Sequence, residues 1–115
     1  MNNNSPEELK LLLINYKADP KEEILNKILS HDLVQKKINY ISAKYANGNI
    51  SFKDNKSRLK TIIWENISKY DSKYEVLQFL KLIEIEFKHD FNKLKNLLKN
   101  LQQYQKKLKK PMAEK

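Results

Sequence analysis

Residues 73–109 read KYEVLQFLKLIEIEFKHDFNKLKNLLKNLQQYQKKLK. Apolar positions in this stretch fall at Val76, Leu80, Ile83, Phe87, Phe91, Leu94, Leu98, Leu101 and Leu108, with Gln105 filling one place in the row. The steps are threes and fours, the spacing that puts side chains on one face of an α-helix. They follow a heptad repeat with one shift between Phe87 and Phe91. The stretch therefore predicts one long helix from about Lys73 to Lys109, with His89-Asp90 as the one place where a break would fit. Upstream of the shift, Leu77, Phe79, Leu82 and Ile85 add to the seam and place that half in a core. Downstream the seam narrows and lysines take over. Pro111 cannot extend the backbone hydrogen-bond ladder, so residues 111–115 are expected to form a frayed basic tail.

The rest of the chain reads as shorter helices. Ser5-Pro6-Glu7-Glu8 combines a capping hydroxyl, a proline suited to the first helical position and a capping-box glutamate. Leu9, Leu12, Leu13 and Tyr16 then mark one face of a helix that should end near Ala18, before Pro20. Asp19-Pro20-Lys21-Glu22 repeats the start signal and predicts a second helix from Pro20 to Leu29, with Ile24, Leu25, Ile28 and Leu29 inward. Ser30-His31-Asp32 is either a joint or a polar patch within a longer helix. A third helix is expected from Leu33 to Ala46, carrying Val34, Ile38, Ile41 and Tyr45. Asn47-Gly48 should end it, because glycine tolerates the left-handed backbone common past a helix C-terminus. Ser51-Phe52-Lys53-Asp54 opens a fourth helix along Leu59, Ile62, Ile63, Ile67 and Tyr70, with Trp64 at the edge of that face. Ser72 to Glu75 gives the start signal of the last helix.

The expected fold class is all-α: a single-domain bundle of four to five helices over residues 1–110, the C-terminal helix long. Composition agrees. There is one glycine, Gly48, and three prolines, too few for a sheet protein rich in tight turns. Cysteine is absent, which rules out disulfides, thiol catalysis and thiolate-bound metals in these 115 residues. The longest apolar run, Leu11 to Ile14, is far short of the roughly 20 residues a membrane span needs. The N-terminal residues lack the pattern of a secretory leader. A cytoplasmic location is the expectation, with no membrane span.

Catalytic and metal-binding chemistry find little support. The two histidines each precede an aspartate, His31-Asp32 and His89-Asp90, and neighbours on a helix diverge by about 100°. Both histidines read as surface or cap residues. Glu84 and Glu86 diverge likewise, and Glu22 and Glu23 read as first-turn acids complementing the helix dipole. One glycine cannot make a phosphate-binding loop. No catalytic residue, metal ligand or cofactor is expected, and the chain is read as a non-enzyme.

Charge carries the functional reading. The formal net charge is +9, and residues 88–115 hold nine lysines against two acids. Lys88, Lys95, Lys99, Lys106 and Lys110 are spaced 7, 4, 7 and 4, which keeps them on one side of the helix. Lys93, Lys107 and Lys109 widen that surface. From Lys88 to Lys110 a helix is about 34 Å long, and a rod so charged can follow a phosphate backbone. Lysine lacks the planar fork that reads guanine edges, so such contacts would select sequence weakly. The nucleic-acid-binding candidates are Lys88, Lys95, Lys99, Lys106, Lys107, Lys109 and Lys110. The alternative is a protein-interaction module, such as an adaptor, an inhibitor or an immunity-type bundle. Its surface would be the seam of Phe91, Leu94, Leu98, Leu101 and Leu108 if that half of the helix projects, with an acidic protein or a second copy as partner; otherwise the seam packs onto helices one to three of the same chain, the commoner arrangement in a small bundle. Binding on anionic lipid ranks last, because the seam is narrow and lacks tryptophan.

One stretch also resembles a known family. Leu33-Val34, Lys37-Ile38, Tyr45-Ala46-Asn47-Gly48, Ile50-Ser51-Phe52, Asp54 and Ile67-Ser68-Lys69-Tyr70-Asp71 look like region two of bacterial sigma factors. The resemblance covers about residues 33–71 and implies contact with RNA polymerase core and promoter DNA. Where that family continues with a Gln-Glu-Gly step after the aspartate, this chain has Asn55-Lys56-Ser57.

Overall fold

The computed structural model describes residues 5–113, and side chains as far as Leu108. The chain forms five α-helices: α1 (Pro6–Ala18), α2 (Glu22–Ser30), α3 (Asp32–Lys44), α4 (Phe52–Asn66) and α5 (Val76–Ala113). No strand occurs among the described residues. A single 3-10 turn, Ile67–Lys69, continues α4.

Helix starts follow local side-chain chemistry. Ser5 Oγ accepts from the Glu8 amide at 3.1 Å, and Ser51 Oγ accepts from the Asp54 amide at 3.1 Å. Each satisfies an amide that has no partner within its helix. The joint at His31 is also a cap: its Nδ1 accepts from the Leu33 amide at 3.2 Å. His31 is 2% exposed, so it is a buried cap and not a surface histidine. α2 begins at Glu22, two residues later than Pro20, because Lys21 is still extended. Asp19, held out of the helical region by Pro20, closes α1 instead of opening α2.

Two expected boundaries move for physical reasons. α3 stops at Lys44, not Ala46, and Gly48 takes no left-handed backbone. Asn47 makes the turn: its Oδ1 accepts from the amides of Asn49 and Ile50 at 2.7 and 2.9 Å, and its own amide donates to the Ile50 carbonyl at 2.8 Å. The last helix opens at Val76, three residues later than Lys73, and Ser72 is not its cap. Asp71 Oδ1 accepts from the Lys73 amide, and the buried Tyr70 hydroxyl donates to the Tyr74 carbonyl at 2.8 Å. These bonds hold residues 70–75 in a turn, after which Gln78 Oε1 accepts from the Glu75 amide at 2.9 Å.

The core joins all five helices. Leu9 and Leu13 of α1, Ile28 of α2, Val34, Ile38 and Ile41 of α3, and Leu59 and Ile63 of α4 surround Val76, Leu80, Ile83 and Phe87 of α5. Tyr45 stacks against Phe87 and Phe91 with ring centroids 5.5 and 5.1 Å apart. Asn55 ties α4 to α3 by donating from Nδ2 to the Ser42 carbonyl at 3.1 Å. Lys37 and Lys44 of α3 both reach Glu84 of α5, at 2.7 and 3.7 Å. The upstream half of α5 is not apolar all round in use: Leu77 and Ile85 are exposed, since α5 lies on one side of the bundle and buries one face.

α5 runs unbroken through His89-Asp90 and past Pro111 to Ala113. Residues 114–115 of the expected tail lie outside the described ones. From Glu86 to Lys110 it contains no glycine, proline or β-branched residue, so nothing in its composition interrupts the helix. Its last contact with the bundle is the half-buried Leu98; every described side chain beyond is exposed. The radius of gyration is 18.6 Å and the long axis 69 Å, where a compact domain of this length would have a radius of about 13 Å. The excess is the projecting end of α5.

The turn makes opposite predictions at adjacent residues. Asn47→Ala should lower unfolding free energy by about 1 kcal/mol, while Gly48→Ala should be neutral or stabilising by up to about 1 kcal/mol, because a methyl group there meets nothing within 4 Å. Urea unfolding of the two variants decides it.

The Glu84 brace predicts a pH dependence. The Lys37 ammonium, hydrogen-bonded to Glu84, holds its carboxyl below the usual range. A lowered folded value means the stabilisation is complete above the ordinary glutamate range and lost as pH falls through the lowered value. Glu84→Gln should cost about 0.5–1 kcal/mol at pH 7, and the gap to the parent should close in strongly acidic buffer. A gap that is unchanged at low pH would show that the carboxylate charge contributes nothing.

Candidate functional site

α5 sets the candidate site, because it is the one element that leaves the bundle. With about 100° per residue, Lys88, Lys95, Lys99 and Lys106 fall within about 40° of one another around the helix axis. All four are exposed. Lys107 and Lys93 are also exposed but lie toward the opposite side. Lys109 and Lys110 lie within the helical backbone, and their side chains fall outside the described ones.

Lys81 lies on the same stripe, one heptad before Lys88, and is exposed. The 7-residue step back from Lys88 was the signal for it. Across from it stand Lys37 and Lys44 of α3, which flank the exposed ring of Tyr40 at 5.9 and 5.5 Å from its centroid. Glu84 pairs with Lys37 and Lys44 of α3, and Lys81 and Lys88 lie three and four residues from it on its own helix. One carboxylate thus meets two ammonium groups, which leaves this pairing with net positive charge. The α3 lysines had no local signal in the sequence, because only tertiary packing brings them to α5.

Two acids of α5 are engaged toward the bundle, while Glu86 is in no ion pair among the described residues. Glu84 pairs with α3, and Asp90 pairs with Arg58 of α4. Asp90 in turn raises the Arg58 affinity for its proton. Among the described residues, none of Lys88, Lys93, Lys95, Lys99, Lys106 and Lys107 is in an ion pair. No acid occurs between Phe91 and Ala113.

The seam residues separate. Phe91 is 6% exposed and stacked on Tyr45 and Phe87, so it is a core residue and is withdrawn as an interface candidate. Leu94 and Leu98 are half-buried against the bundle. Leu101 and Leu108 are exposed, and so are Leu97 and Tyr104, which the expected seam did not include.

The residues of the sigma-like stretch have local structural work. Ile50 and Tyr70 are buried, Asn47 makes a turn and Ser51 caps α4. Phe52 stays exposed, with Lys56 over its ring.

Among the described residues, no three His, Cys, Asp or Glu side chains gather where a metal could be held. No helix there is long and apolar enough to cross a membrane. An open groove of about 720 Å³ lies between α4 and α5, lined by Arg58, Ile62, Asp90, Leu94 and Leu98 among others.

No protein-family model matches the chain, and neither a curated protein nor a solved structure matches it significantly.

Proposed function

We propose that this chain is a non-catalytic binding module that associates with nucleic acid through the lysine stripe of α5. One observation carries the reading: Lys88, Lys95, Lys99 and Lys106 share one face of a projecting helix, and among the described residues none of them is in an ion pair. From Lys81 to Lys106 the stripe is about 38 Å long. Lysines four apart, such as Lys95 and Lys99, repel each other by a few tenths of a kcal/mol. A row of phosphates relieves that repulsion, and release of its counterions adds a favourable term.

The chemistry of the stripe defines the recognition. Lysine ammonium groups hold phosphate as point charges, so binding depends on backbone charge and little on base sequence. Lys37 and Lys44 extend the positive surface onto α3 around Tyr40. The partial likeness to the sigma region is compatible with a nucleic-acid ligand, but the reading rests on the stripe.

Titration of the chain with a labelled 20-base-pair duplex and with a single strand, across a salt series, tests this. Contacts by four or five lysines give a slope of log affinity against log salt near about −4 for duplex. Lys99→Gln should make the slope shallower by about one and weaken binding similarly for unrelated sequences. Absence of binding at low salt, or a slope unchanged in that variant, would refute the assignment.

A further inference from the structure

Leu94, Leu97, Leu101, Tyr104 and Leu108 follow one another in steps of 3, 4, 3 and 4. Leu80, Ile83, Phe87 and Asp90 precede them in the same register, so one heptad seam runs through the whole of α5. The bundle covers it as far as Leu94, with Asp90 tied to Arg58. Past Leu98, beside the turn at Asn47–Ile50, the bundle ends. Leu97, Leu101, Tyr104 and Leu108 are then 55, 48, 60 and 54% exposed. Scattered exposed leucines are ordinary, but an aligned row in register with a buried seam marks a surface for another element.

We infer that this ridge docks an acidic amphipathic helix from a partner protein. Charge selects the occupant. Lys93 and Lys107 lie along one side of the ridge, about 60° and 100° from its centre, and no acid occurs from Phe91 to Ala113. A second copy in either orientation would bring another lysine-rich, acid-free helix alongside. A helix with apolar residues at the seam and glutamates beside it fits both surfaces, because flanking charges set partner choice in paired helices. The groove between α4 and α5 leads onto the ridge at Leu94, so the docked helix would enter it at one end. The ridge lies about 160° around α5 from the lysine stripe. The two surfaces can therefore be occupied together, and each is testable without the other.

The test uses the full chain and a designed three-heptad peptide with leucine or isoleucine at both seam positions and glutamate at both flanks. Calorimetry should show saturable one-to-one binding. The double variant Leu101→Gln, Leu108→Gln should weaken it by about tenfold or more and leave duplex affinity unchanged. Lys88→Gln with Lys99→Gln should weaken duplex binding and change peptide affinity by less than about threefold. A peptide with lysine flanks should not bind. Circular dichroism should show both variants as helical as the parent. Equal binding of a glutamate peptide whose seam is serine would overturn the inference, since charge alone would then suffice. A concentration-dependent dimer of the chain that the leucine variant abolishes would also overturn it, by giving the ridge to a second copy. Loss of duplex binding with peptide binding intact would sink only the nucleic-acid reading.

Discussion

The architecture depends on how α5 is gripped at Phe87. That ring is fully buried, stacked on Tyr45 from the end of α3 and on Phe91 one turn later. Residues upstream of it fill the space among α1, α3 and α4. Burying a phenylalanine contributes about 2–3 kcal/mol, and edge-on aromatic contacts add to it. Glu84 and Asp90 bracket the ring with ion pairs to α3 and α4. Those pairs are partly solvated and contribute modestly, but they fix the rotation of α5. The rotation decides which lysines and which leucines point away from the bundle.

Helices were legible wherever the deciding chemistry is local. Ser5 and Ser51 sit three residues before the amides they cap, and the heptad steps of α5 need only the sequence. Boundaries set by competing side chains were not. Asn47 outranks Gly48 at the end of α3, since a side-chain carbonyl that accepts two amides needs no left-handed residue. Asp71 and the Tyr70 hydroxyl delay α5 past Ser72 by bonding in the turn. His31 was legible as a cap at a joint, but not as a buried one, because its burial comes from packing between helices.

The candidate surface was half legible. A period of seven and four found the lysine stripe, because charge on one helix depends on that helix alone. The seam divides between its two readings: Phe91 and Leu98 turn toward the bundle, Leu101 and Leu108 stay open, and the uncovered row also passes through Leu97 and Tyr104. Two interleaved apolar rows, each spaced by threes and fours, look alike in one dimension. Only the position where the bundle stops distinguishes the covered row from the open one. Lys37 and Lys44 illustrate the same limit, since each lies 40 or more positions before Glu84 in the chain.

The unbroken backbone of α5 also makes it a lever arm. About 33 Å of helix separates Phe91 from Ala113, with the fulcrum in the aromatic cluster. A tilt of only 3° there swings the tip by about 1.7 Å over that length. Small repacking around Tyr45 is thus magnified at the far end, and a load placed on the tip exerts its largest torque on those same three rings.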